Sequence, residues 1–196
     1  MIKNQFSKAM IMTLACFIML GTITQAQTLR INSKLSTMTI FGTTNIHNFK
    51  SNVQLIKGEL TVNSAKKVQS LNVEIPVRSI KSGEKLMDNK TYEAFKESKF
   101  PTISFSIIDV AALQISGDDI NVTVDGNLTI AGVTKRISIK ATGKNSRPGV
   151  YTFKGSVALK MTDFNMKPPT AMLGVMKVGN AITLNYDVTF EGAAIK

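Results

Sequence analysis

The chain has 196 residues, with 24 Lys and Arg against 13 Asp and Glu, a formal charge of +11, one cysteine and one histidine. So few Cys and His cannot supply the three or four ligands of a zinc site. The lysines are dispersed rather than gathered into a run interleaved with aromatics, so nucleic acid is not an expected partner.

The opening, MIKNQFSKAMIMTLACFIMLGTITQA, places Lys3 and Lys8 before an apolar run from Met10 to Leu20 and ends in small or polar residues. This is the pattern of a secretory signal peptide over residues 1–26, cleaved after Ala26, and it predicts a periplasmic or secreted protein. Cys16 lies inside the apolar run and leaves with it. What remains, 27–196, has no cysteine and a formal charge of +9 once Lys3 and Lys8 are gone. It is long enough for one domain with a sizeable core and no disulfides. A basic surface of this kind also allows transient contact with an anionic membrane surface.

In chain order the dominant signal is alternation of apolar residues, the period of a strand with one buried face. It starts with Leu29-Ile31, Met38-Ile40, Val53-Leu55 and Leu60-Val62, and continues through Leu71-Val73-Ile75-Val77. Residues 83–98 break the pattern: Tyr92 and Phe95 stand three apart, and Asp88 is placed to cap a short helix. Pro101 bars further helix, and strands resume at Ile103-Phe105-Ile107, Ile120-Val122-Val124, Leu128-Ile130 and Ile137-Ile139-Ala141. The longest rows are Tyr151-Phe153-Gly155-Val157-Leu159-Met161 and Ile182-Leu184-Tyr186-Val188-Phe190. Between these two rows, residues 163–177 carry Pro168-Pro169 and are expected to form a long loop. Turn signals such as Ser116-Gly117-Asp118-Asp119 are spaced for hairpins, so the sheet is expected to be antiparallel. About eight to ten strands with one apolar face must close into a barrel or fold into a sandwich, and alternation does not distinguish the two.

Catalytic patterns are thin. His47, in GTTNIHNF, has no GxSxG elbow or thiol elsewhere in 27–196 to pair with. No GxxxxGK[ST] or GxGxxG phosphate loop is present. The carboxylate pairs Asp118 with Asp119 and Glu93 with Glu97 fall on a turn and a helix, where solvation is the default. Met161, Met166, Met172 and Met176 cluster within sixteen residues, which suits a pliable cavity or mouth lining, plain core, or thioether ligation of Cu(I).

Four stretches together resemble the YceI-like family of exported lipid-binding proteins: STMTIFGTTNIHNF from Ser36, IPVRSIKSGEKLMDNKTYEAFKESKFPTISF from Ile75, GNLTIAGVTKRI from Gly126 and MTDFNMKPPTAMLG from Met161. The resemblance covers essentially all of 27–196. It implies an all-β fold, an antiparallel lipocalin-like barrel of about eight strands with a short helical insertion, and an apolar interior that takes a long isoprenoid-type molecule without catalysis or cofactor. His47 matches a position the family often fills with His. Where a common form of the family has Arg-Asp-x-His and paired phenylalanines, this chain has Met87-Asp88-Asn89-Lys90 and Ala94-Phe95.

The resulting expectation is a carrier for an isoprenoid or other long-chain amphipathic lipid. Its ligand-binding residues are His47, Val73, Ile75, Phe105, Phe153, Val157, Leu159, Met172, Leu184 and Tyr186, with the helical insertion and the Met-rich loop framing the entrance. Two rival readings are an exported enzyme acting on a lipid or acyl substrate through His47, and a structural barrel filled by its own side chains.

Overall fold

A computed structural model describes residues 26–194 except 64 and 66; residues 1–25, where the leader is expected, lie outside the described residues. The alternating segments form strands β1 (Gln27–Ile31), β2 (Thr37–Thr44), β3 (Asn48–Val53), β4 (Lys57–Val62), β5 (Val68–Pro76) and β6 (Ile80–Lys81). Helix α1 (Lys85–Ala94) precedes β7 (Thr102–Ser116), β8 (Asp119–Ile130), β9 (Val133–Arg147), β10 (Val150–Lys160), β11 (Thr170–Ala171) and β12 (Met176–Gly192). Every pairing is antiparallel.

The sheet runs β1-β4-β5-β7-β8-β9-β10-β12 and closes by pairing β12 with β1, Leu29 opposite Gly192 and Ile31 opposite Phe190. Eight strands therefore make a closed barrel, and the choice left open by alternation falls on the barrel. A fork is built onto it. β12 is long enough to pair with β1 near its C-terminal end and with β2 along Ile182–Asp187, while β2 continues to β3 and β6. The break between β1 and β2 is a short 3-10 turn, Ser33–Leu35, held by Asn32 and Ser36. Asn32 Oδ1 accepts the Lys34 N–H, while Ser36 Oγ donates to the Asn32 carbonyl and accepts the buried Thr189 N–H. These side-chain bonds satisfy backbone groups that the break removes from the ladder.

One end of the barrel is filled. Ile56, Val77 and Ile80 are each 1% exposed and Phe164 2%, and Phe95, the C-cap residue of α1, is buried in the same core. The helix starts three residues before its predicted cap. Glu84 is the N-cap residue, and Asp88 sits inside the first turn, where its carboxylate accepts the Ser82 N–H at 2.8 Å and the Ser82 hydroxyl at 2.7 Å. Asp88 thus ties the chain entering the helix to the helix itself, a bond that sequence spacing alone does not separate from capping. Burial pushes its pKa up, but the Ser82 bonds and the Lys81 charge together hold it below the usual carboxylate range. Tyr92 is held at its hydroxyl, to which Lys81 Nζ donates at 2.5 Å, and the Arg78 guanidinium stands 5.6 Å from its ring centre.

Asp88→Ala is expected to cost about 1.5–3 kcal/mol, because it removes hydrogen bonds to a charged acceptor. Because the folded pKa is depressed, this stabilisation is complete above the unfolded value near 4 and disappears as pH falls through the folded value. Denaturant melts of both proteins at neutral pH and in acid check it: the difference should shrink in acid.

The segment 163–177 is more ordered than a long loop. Met161–Phe164 forms a 3-10 turn that buries Met161 and Phe164, and Met166 is buried beyond it. Thr170–Ala171 pairs with Met176–Lys177 as a small hairpin, so β12 begins inside the stretch expected to be loop. The double proline stays just outside the ladder, as its missing N–H requires.

Candidate functional site

Inward positions of the barrel strands do not meet across the interior. They enclose a cavity of about 310 Å³ lined by aliphatic and aromatic side chains and one methionine, Met38. Eight of the residues expected to bind ligand line it: Val73, Ile75, Phe105, Phe153, Val157, Leu159, Leu184 and Tyr186. Period-two alternation puts them on one face, and closure points that face inward.

The other two residues lie elsewhere. His47 is exposed in the turn joining β2 to β3 and is absent from the cavity wall. Its backbone closes the turn with Thr44, whose N–H donates to the His47 carbonyl at 2.8 Å, and its Nδ1 stands 3.1 Å from the Asn48 carbonyl. No carboxylate pairs with it among the described residues. Met172 opens a 3-10 turn beyond β11, and its side chain lies outside what the structure describes.

The helix and the Met-rich segment do not frame an open mouth. Between them lies a second pocket of about 50 Å³, lined by Phe49, Met87, Thr91, Met161, Met166 and Pro169 among others. It shares Ile40, Ile80, Phe95 and Ile182 with the main cavity, and of these Ile80 and Phe95 are buried. The exposed part of the cavity wall is at the opposite end, where Leu113 is 50% and Ile115 61% exposed. Sequence reasoning passed over this pair. The signal was available: Leu113 and Ile115 mirror Ile120 and Val122 across the Ser116–Asp119 turn, so all four belong to the inward row of one hairpin.

Polarity in the cavity wall comes from two tyrosines. The Tyr186 hydroxyl crosses Gly155 on β10 and donates to the Lys140 carbonyl on β9 at 3.2 Å. It does so where the β9–β10 ladder ends, at Gly155 opposite Ala141. The side chain thus supplies the next carbonyl with the donor that the ladder no longer provides. Burial pushes the Tyr186 pKa up to about 12 and raises that of Tyr151 as well, so both stay neutral. Gly155 is glycine because a Cβ there would overlap the Tyr186 hydroxyl and stand 2.7 Å from the Lys140 oxygen. The gap in this row is filled by a neighbouring ring and is not space for ligand. Gly42 beneath Phe49, Gly126 beneath Phe105 and Gly143 beneath Phe153 repeat the arrangement.

No group of three or more His, Cys, Asp or Glu positioned to hold a metal occurs among the described residues. The arrangement suits the binding of an apolar chain: a concave apolar chamber with few polar groups.

Comparison with known proteins agrees with this geometry. A UPF0312 protein of Pseudomonas syringae pv. tomato is 31% identical over 147 residues, 71% of this chain and 70% of that protein. A UPF0312 protein of Pseudomonas aeruginosa is 44% identical over 75 residues, and the match spans only 37% of its length. Among solved structures, a polyisoprenoid-binding domain from Saccharophagus degradans superposes with a TM-score of 0.68 at 14% identity, covering 86% of this chain and 99% of that one. The Campylobacter jejuni YceI protein gives 0.59 at 24% identity, covering 74% and 85%. At these identities the solved structures speak to the fold. The YceI-like domain description matches residues 29–190, nearly the whole of the barrel from β1 to β12, and the chain belongs to that family.

Proposed function

We propose that this protein is a non-catalytic carrier that sequesters an isoprenoid or similar long amphipathic lipid in the periplasm or outside the cell. The observation that carries the reading is the hollow interior, about 310 Å³ with an apolar lining. A barrel filled by its own side chains leaves no such space, and the polyisoprenoid-binding domain of the same fold supports the ligand class. The enzyme reading loses its base, because His47 lies off the cavity wall in an exposed turn. Each buried CH₂ contributes roughly 0.8 kcal/mol, so a chain filling the cavity needs little help from its head group. Protein purified under native conditions should release a lipid into organic solvent at close to one per chain, identified by mass spectrometry, and His47→Ala protein should release as much. An empty extract, with no uptake of an added isoprenol, would overturn the carrier reading.

A bilayer contact has its own support at the filled end. Leu173 is fully exposed at φ 55°, Val175 and Ile46 are 65% and 58% exposed, and Asn45 bonds to Val175 and Lys177, joining the two turns into one tip. Apolar side chains beside a lysine suit an anionic surface. Leu173→Asp is expected to reduce co-sedimentation with vesicles containing anionic phospholipid, without changing lipid content.

A further inference from the structure

Two of the methionines clustered in sequence, Met161 and Met166, meet a third that no sequence pattern links to them. Met87 lies far upstream, on α1, and all three line the small pocket of about 50 Å³ between the helix and the Met-rich segment. Met161 and Met166 are buried there, and Met87 is half-buried. Met176, of the same sequence cluster, is not on the pocket wall. Methionine ordinarily fills gaps in a core, being its most pliable side chain. Here three of them surround a gap instead. Ser51, on the inward row of β3, is 3% exposed and lines the same pocket, and its hydroxyl has no hydrogen-bond partner among the described residues. A buried polar group without a partner costs free energy, so the pocket suits an occupant. A water would find the Ser51 and Thr91 hydroxyls, the lower end of the about two to four partners it needs, and little from thioethers, which are weak acceptors.

The chemistry of the wall selects the occupant. Thioether sulfur is a soft, neutral donor that favours Cu(I), whereas harder ions want imidazole or oxygen ligands. The pocket offers no imidazole and no carboxylate, and it is too small for a lipid. Asp163, exposed on the 3-10 turn that carries Met161, brings a negative charge to the same turn, which offsets part of the cost of holding a cation among apolar side chains. We propose that Met87, Met161 and Met166 form a Cu(I) site. It is separate from the lipid cavity and does not rest on the carrier reading. Because the ion would join α1 to the segment after β10, Cu(I) should also raise the melting temperature of the protein, as any ligand of the folded state does.

The test is an oxygen-free titration with Cu(I) in competition with a coloured chelator, bicinchoninate. The parent should retain close to one ion per chain. Met87→Leu should weaken retention by at least about tenfold, since at metal sites the loss of even an outer partner costs about 10–100-fold. Leucine matches methionine in volume and Met87 is only half-buried, so the fold tolerates the change; unchanged melting of the copper-free variant verifies it. Met161→Leu should act in the same way, and Met176→Leu should have no effect. Thioethers carry no proton to exchange, so the parent's affinity should be the same at about pH 7 and about pH 5, whereas imidazole and carboxylate ligands release a metal as they protonate. A parent that retains no Cu(I) overturns the site. Retention that survives Met87→Leu unchanged, or that falls in acid, overturns it as well, because the ion then sits on other groups.

Discussion

Leu184→Trp is expected to weaken lipid binding by a factor of sixty or more while leaving the melting temperature of the lipid-free protein close to that of the parent. Leu184 sits on β12 between Val157 of β10 and Ile40 of β2, and all three line the cavity. In a close-packed interior the added ring forces neighbours off their rotamers and costs about 1–3 kcal/mol. Here it enters space the protein leaves empty. A ring that displaces three methylene-sized groups of ligand removes about 0.8 kcal/mol for each, or roughly fourfold three times over. Binding and thermal melts must be read together: a strongly destabilised variant with unchanged lipid affinity would mean that the chamber closes in solution.

Gly155→Ala has the opposite signature, a loss of stability that does not depend on ligand. Its Cβ would overlap the Tyr186 hydroxyl and crowd the Lys140 carbonyl, where the side-chain bond takes over from the ladder. Forcing the ring aside loses that bond and strains the strand, at an expected cost of about 1–3 kcal/mol. Tyr186→Phe alone should cost about 1 kcal/mol, the usual contribution of one such bond. Combined, the two changes should cost less than their sum, by about 0.5 kcal/mol or more, because they damage one contact. The same hydroxyl sets a limit in alkali. Its folded pKa of about 12 lies above the ordinary phenol value near 10, so its contribution is complete below pH 10 and is lost as pH rises from 10 towards 12. Alkaline melts of the parent should show this loss, and those of Tyr186→Phe should show less of it.

How far the sequence could be read depends on the range of the interaction. Alternation is local, so Val73, Phe105, Val157 and Leu184 could be assigned to one apolar face from the residues alone, and the structure puts that face inward. Whether the face closes as barrel or sandwich rests on Leu29 meeting Gly192, which no local pattern encodes. Gly155 shows the same limit at the scale of one residue. Its partners are Tyr186, 31 positions on, and Lys140, 15 positions back, so a gap in an apolar row looks like room for ligand until the neighbouring strands are in place. Asp88 has the composition of a cap but bonds backwards to Ser82, because the chain turns at Gly83 (φ 91°) before the helix begins. The open end was legible only in part. Leu113 and Ile115 alternate like the rest of their strand and so belong to its inward row, but that β7 runs on past the start of β5 at Val68 depends on strand lengths and register that no local pattern encodes.

The closing seam also decides when the barrel can form. β12 is the last strand, and it bonds to β10 on one side and to β1 and β2 on the other. Until residues 176–192 are available, β1 and β10 are bare edges of an open ribbon, and the rung from Leu29 to Gly192 must close nearly the whole length of 27–196. Contacts this distant in sequence make folding slow, on the scale of milliseconds to seconds, because the entropy of closure is lost before the ladder compensates it. The chain therefore stays unclosed until its final strand arrives, and a chain ending before β12 presents two long unpaired edges to its neighbours, a species that aggregates instead of forming a smaller barrel.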